Sequence, residues 1–265
     1  MAQQLYIQPS EVRTADRVGF EVRRITLREL GDAWHAGLDD FAAHPTQKVF
    51  SWIIYPIIGM ILLWVASERT LLPILFPIVS GVALIGPFLG LALNQISRHR
   101  EEGQTISHAE AFNIFRYPMR GTLLMMGAIL ACIFFAWLAC AAILYRLTLG
   151  DAPQSIRDFL TALFTTEAGW TLIVVGNLVG FVFALIVFVI SVVAFPLIIH
   201  RHATLRAAIM TSVDVVVRNP GVMAVWGLIV AGLLLLGSLP AFIGLAVAIP
   251  ILGHTTWHIY RKVVV

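Results

Sequence analysis

The 33 charged side chains of this protein are spaced so unevenly that five stretches carry none: 49–67, 70–97, 121–145, 168–200 and 219–260. At about 1.5 Å of rise per residue, each can cross the roughly 30 Å hydrocarbon core of a bilayer as a helix. Charged residues are 12% of the chain and hydrophobic ones 59%, against about 25% charged in a soluble domain. Lipid or other helices are therefore the solvent for most of its length, and the expected fold is all-α and polytopic. Residues 1–10 show no basic patch followed by an apolar run and a cleavage site, so the first span is expected to be its own uncleaved insertion signal.

The last stretch has 42 residues, about twice a bilayer as a helix, and should fold back on itself. Gly237, Ser238, Leu239 and Pro240 supply turn chemistry near its middle. The expectation is six spans in three hairpins, at about 49–67, 71–96, 121–146, 169–199, 220–236 and 239–253. They form a single membrane domain over 26–265, behind a partly flexible cytoplasmic segment over 1–25. With both termini inside, cytoplasmic segments hold 15 of the 18 Lys and Arg residues, all but Arg69, Arg146 and Arg157. That bias is what the positive-inside rule produces, and it points to a multi-pass protein of a bacterial inner membrane. The net charge of +3 then reports topology and contact with anionic lipid, and gives no case for nucleic acid.

A pattern recurs three times: a cytoplasmic amphipathic helix, a proline, then a membrane hairpin. In the first copy Leu27, Leu30, Trp34, Leu38 and Phe41 share a face, Thr26 and Glu29 form a capping box, and His44-Pro45 ends the helix. The second has Ser107 with Glu110, then Ala111, Ile114 and Phe115, closed by Tyr117-Pro118; the third has Leu205, Ile209, Val213 and Val216 before Asn219-Pro220. Because the residue before a proline is kept out of helical geometry, each proline can turn an in-plane helix into a spanning one. The prolines lie 73 and 102 residues apart, so this is a divergent quasi-repeat. On the opposite side, Ile156, Phe159, Leu160, Leu163 and Phe164 predict one more short surface helix.

Gly253-His254-Thr255-Thr256-Trp257-His258-Ile259-Tyr260-Arg261, with Ala36-Gly37-Leu38-Asp39-Asp40-Phe41 and His44-Pro45, resembles a group of proteobacterial inner-membrane proteins classed as a domain of unknown function. The resemblance runs from about Val22 to Arg261. It implies a six-span inner-membrane fold and brings no activity or catalytic residue with it. Some members carry the label cytochrome c oxidase subunit I. That chemistry needs several histidines at depth to ligate haem and copper, and no expected span here contains one.

All eight histidines fall in cytoplasmic segments as pairs, and His254 with His258, or His200 with His202, has spacing usable for a metal or haem at the interface. No Cys or helical His-Glu motif joins them. Trp257, Tyr260, Arg261 and Lys262 read as an interfacial anchor, with rings at headgroup level and cations beyond. Cys132 and Cys140 are about 12 Å apart along one helix, too far for a disulfide, and read as small packing residues. Span two holds Pro73, Pro77 and Pro87 with Gly81, Gly86 and Gly90. Broken helices of that kind can line a substrate path, for which Asn177, Pro77 and Pro87 are the candidates. Gly86 with Gly90, and Gly176 with Gly180, also suit close helix packing.

No Asp, Glu, Lys or Arg lies at depth, which argues against ion-coupled transport. Ser80 and Ser191 have no intramembrane base. The expected function is a non-enzymatic accessory, assembly or scaffold component without a cofactor. Its expected partners are membrane lipids and, beyond them, other membrane proteins or a respiratory complex. Two alternatives stay open: a transporter or flippase-like protein for an uncharged or amphiphilic molecule, and an interfacial metal or haem-binding protein.

Overall fold

The structure, a computed structural model, describes residues 19–43, 60, 77, 91–103, 119–150, 155–239 and 243–265. The helices bounded within the described residues are, in chain order, α1 (Leu27–Ala43), α2 (Leu91–Glu101), α3 (Arg120–Thr148), α4 (Ile156–Thr165), α5 (Glu167–Ser191), α6 (Ala194–Arg201), α7 (Leu205–Arg218), α8 (Pro220–Ser238) and α9 (Leu245–Val263). No strand occurs among the described residues, and the one extended pairing is an isolated antiparallel bridge between Val22 and Val264. All of the first expected span but residue 60, most of the second, the second surface helix, His44-Pro45 and Pro240 lie outside the described residues.

Among the described residues, three helical segments are long and apolar enough to cross a membrane: Arg120–Thr148, Glu167–Arg201 and Pro220–Ser238. The middle one is broken. Pro196 has no N–H to bond the carbonyl of Val192, and its ring would collide with it, so the helix stops at Ser191 and restarts at Ala194. Gly180 faces the ring of Trp137 and Gly176 faces Leu144, which sets α3 and α5 antiparallel; Phe188 reaches Gly227 of α8. Arg120, Arg201 and Arg218 therefore stand at one end of these helices, and Arg146, Arg157, Asp158 and Glu167 at the other. The small residues at 176 and 180 serve the packing role expected of them.

The expected sixth span changes character. Instead of an apolar segment ending near 253, α9 runs on to Val263, and its polar second half is buried on nearly every side. Gly237 and Gly244 touch where α8 turns back into α9, close enough that a side chain at either would meet backbone. The core sits at the Arg120 end: Leu123, Met126 and Leu130 of α3, Phe195, Leu197 and Ile198 of α6, Met223 and Trp226 of α8, and Trp257, Ile259 and Tyr260 of α9. Toward the other end Phe135, Leu147, Leu178, Phe181, Leu235 and Leu239 are uncovered, as suits side chains solvated by lipid. Cys132 and Cys140 are exposed on that outer surface of α3 and not packed inside.

A strap at the N-terminus closes the core. Arg23 N donates to Val263 O at 3.0 Å, and Val265 N to Glu21 O at 3.0 Å. Beyond it, Asn219 Oδ1 accepts from Ile25 N at 2.8 Å while its Nδ2 donates to Arg23 O at 3.2 Å, and Thr211 Oγ1 accepts from Phe20 N at 3.0 Å. One asparagine at the α7–α8 break thus satisfies an otherwise open backbone segment.

The expected capping box forms: Thr26 N donates to Glu29 Oε2 at 2.8 Å, and Glu29 N to Thr26 Oγ1 at 3.3 Å. Yet α1 fully buries only Leu30 of its bulky stripe. Leu30, Ala33, Gly37 and Asp40 face inward, while Leu27 is 58% exposed and Trp34, Leu38 and Phe41 are half-buried. The same happens on α7, which buries Ala207, Ala208, Thr211, Ser212 and Val215. Small side chains let two helix backbones approach, and here that outweighs the area of larger ones.

On the far side, α4 forms as expected, with Ser155 accepting from Asp158 N at 3.1 Å. It folds onto the start of α5 so tightly that a Cβ on Gly169 would overlap the carbonyl oxygens of Ala162 and Leu163. Gly169→Ala is therefore expected to destabilise this corner by about 1–3 kcal/mol. Hydrogen exchange should quicken over 156–165 and stay unchanged in α9; unaltered exchange over 156–165 would contradict this geometry.

Candidate functional site

Two segments distant in sequence meet in the structure. α1 runs along α9 in the most extensive helix contact among the described residues, with Gly37 against Thr255, and α2 packs on the adjacent face with Leu93 against Gly253. Where the three helices converge, Asp40 is the centre. Its Oδ2 accepts from Ser97 Oγ at 2.6 Å and from His258 Nε2 at 2.8 Å; its Oδ1 accepts from Arg100 Nη1 at 2.5 Å. His254 Nδ1 lies 2.7 Å from the same Ser97 Oγ.

Proton counting assigns the roles. Ser97 has one hydroxyl proton, and a carboxylate can only accept, so that proton goes to Asp40. The oxygen of Ser97 must then accept, and His254 donates from Nδ1. The chain is His254 to Ser97 to Asp40, with His258 and Arg100 donating from the side. His254 is 0% exposed, whereas Arg100 keeps 42% of its side chain in solvent. Burial pushes the Asp40 carboxyl up, but hydrogen bonds from His258 and Ser97 and the nearby imidazoles outweigh it and hold the group at about 2.

A second set of contacts flanks the first. Glu101 of α2 accepts from Trp257 Nε1 at 2.9 Å and from Arg261 Nε at 3.0 Å. Arg98 pairs with Glu102 at 2.9 Å and lies 3.5 Å from the carbonyl of Ile199 at the end of α6. His200 Nδ1 is 2.8 Å from Tyr260 Oη, and its ring stands edge-on to both Trp257 and Tyr260. Three buried oxygens, Asn94 Oδ1, Gln95 Oε1 and Thr255 Oγ1, have no hydrogen-bond partner among the described residues.

These contacts redistribute the candidates read from the sequence. His254 and His258 do come together, through Ser97 and Asp40; His200 lies against Tyr260, and His202 is exposed in a left-handed turn that ends α6. Among the described residues no group of three or more His, Cys, Asp or Glu is arranged to hold a metal ion. Trp257 and Tyr260 are each 1% exposed, so their rings meet protein and not headgroups. Arg261 pairs with Glu101, and Lys262 lies 4.0 Å from Asp32. Asn177 points outward and donates to Ile173 O of its own helix, and the Pro77 carbonyl accepts from Trp137 Nε1 at 3.1 Å. Pro87 lies outside the described residues. Ser97, Arg100 and Glu101 were not among the sequence candidates. The signal for them is the polar run Asn94, Gln95, Ser97 closing an apolar stretch.

Residues 75–200 match a family model described as a predicted integral membrane protein (DUF2189). The matched portion includes Ser97, Arg98, Arg100 and Glu101, helices α3 to α5, and α6 up to His200. It does not reach Asp40 or the run from His254 to Arg261, so the two segments on which the wider resemblance rests lie beyond it. No curated protein and no solved structure matches the chain. Family description and apolar helices agree on an integral membrane protein.

Proposed function

We propose that this chain is a non-enzymatic scaffold or assembly component of a bacterial inner membrane, spanning it six times with both termini in the cytoplasm. The observation that carries the reading is the Asp40 junction, whose polar groups are committed to joining α1, α2 and α9. Ser97 gives its proton to a carboxylate and not to a histidine, so it is not arranged as an activated nucleophile. The proposed orientation draws on the cluster of Arg98, Arg100, Arg120, Arg201, Arg218, Arg261 and Lys262 at one end of the bundle, with Arg146 and Arg157 at the other among the described residues. A transporter gains little support, since Asn177 faces away from the interior and the Pro77 carbonyl is already engaged.

A rigid, interlocked face beside the membrane suits the docking of other membrane proteins, a respiratory complex among them. The test is affinity purification of the full chain in mild detergent with quantitative identification of what accompanies it. Membrane partners in fixed stoichiometry are expected. Recovery of the protein alone at every detergent strength, with its fold intact by circular dichroism, would overturn the proposal.

A further inference from the structure

Around the turn between α6 and α7 the molecule presents cations beside uncovered apolar surface. Arg201 ends α6, His202 adopts a left-handed conformation with φ 51°, and Thr204 caps α7 by accepting from Ala207 N at 3.4 Å. Arg201 and Arg206 are both exposed, and neither pairs with a carboxylate among the described residues. By contrast Arg98 and Arg261 nearby are matched to Glu102 and Glu101.

The face of α7 that follows is apolar and exposed at Met210 and Val217, with Val213 half-buried between them. Arg206, Met210, Val213 and Val217 recur at four and three residues, so they form one stripe along the helix. Met210 is 42% exposed and Val217 69%, while the opposite face is buried in the core. The position is also that of a membrane boundary. α7 is fixed to the end of α5 by Ser212 Oγ donating to Val189 O at 2.8 Å, and it passes through Asn219 directly into the membrane-crossing helix α8. Two guanidiniums that pair with no carboxylate among the described residues, followed by the apolar side chains of Met210, Val213 and Val217, are complementary to an amphiphile with an anionic head.

We infer that the α6–α7 turn binds the headgroup of an anionic phospholipid, with its phosphate on Arg201 and Arg206 and an acyl chain along Met210, Val213 and Val217. This requires only that α5 and α8 cross the bilayer, and it holds whether or not the protein is a scaffold. Guanidinium suits the role because its fork of N–H groups meets phosphate oxygens in pairs.

The test is native mass spectrometry of the detergent-solubilised full chain titrated with phosphatidylglycerol or phosphatidylcholine. Three proteins are compared: wild type, the Arg201→Gln, Arg206→Gln double variant, and Arg157→Gln at the opposite end of the bundle. Wild type and Arg157→Gln should retain phosphatidylglycerol at least tenfold more tightly than phosphatidylcholine, and the double variant should lose that preference. Because Arg201 also reaches Tyr260, Arg206→Gln alone and Met210→Ser with Val217→Ser guard against misfolding; each should weaken retention at least threefold with an unchanged circular dichroism spectrum. An undiminished preference in the double variant, or equal loss in Arg157→Gln, overturns the site. Displacement of phosphatidylglycerol by inorganic phosphate at equal concentration overturns the lipid assignment.

Discussion

Asp40→Asn is expected to lower the stability of the folded protein by about 2–3 kcal/mol, read as a fall of about 5–10 °C in apparent melting temperature. The amide keeps the size of the side chain but replaces an acceptor oxygen with a donor, opposite the donors of Arg100, His258 and Ser97. Removing one partner of a fully buried charge pair costs about 3–5 kcal/mol, and the smaller figure here allows for the solvent that Arg100 retains. Asp39→Asn, on the exposed face of the same helix, should change stability by less than about 0.5 kcal/mol. Equal effects at 39 and 40 would show that the junction does not hold the helices. The acid response supplies a second readout. The Asp40 carboxyl lies at about 2 against its ordinary 3.8, so its stabilisation is present above about pH 4 and is lost as pH falls toward 2. The gap between wild type and Asp40→Asn should therefore narrow over that window, and a gap that widened would contradict the arrangement.

How far the sequence discloses this junction depends on the kind of interaction. Absence of charge is a local property, so the apolar helices at 120–148, 167–201 and 220–238 are readable from it; the helix start at Thr26, where a side chain caps nearby backbone, is local in the same way. The choice of buried face is not local. Periodicity favours the bulky stripe of Leu27, Leu30, Trp34, Leu38 and Phe41, but of these only Leu30 is buried; the buried face is completed by Ala33, Gly37 and Asp40, and Gly37 lies against Thr255. The same reason explains Trp257 and Tyr260. Aromatic rings beside Arg261 and Lys262 have the composition of a headgroup belt, and they are buried where His200 of α6 stands against both rings and Glu101 of α2 meets Trp257. Asp40 and His258 lie 218 residues apart, and no spacing rule links them. What the chain does show at each end is an unusual density of polar and small residues beside a span, which marks a contact without naming its partner.

Gly37→Ala probes that contact directly and should destabilise the protein by about 1–3 kcal/mol, near the upper end of that range. A Cβ at this position would meet Thr255 at its Oγ1, with its N at 2.7 Å and its Cα at 2.9 Å. Two of those three atoms are backbone, so the strain cannot be relieved by turning a side chain, and α1 must move away from α9. Alanine gains about 1 kcal/mol over glycine in intrinsic helix preference, which offsets part of the strain but not all of it. Thr255→Ala in the same chain removes only the hydroxyl contact and should recover a minor share of the loss. The larger consequence is for Asp40, less than one helical turn along α1. Displacing that helix by even a few tenths of an ångström lengthens the bonds to His258 and Ser97, so Gly37→Ala already spends part of what Asp40→Asn would remove. The double variant should therefore be less destabilised than the sum of the two, with a coupling of at least about 0.5 kcal/mol in chemical unfolding. Strict additivity would mean that the close approach at Gly37 and the polar junction at Asp40 act independently, and the picture of a single interlocked interface between α1 and α9 would have to be abandoned.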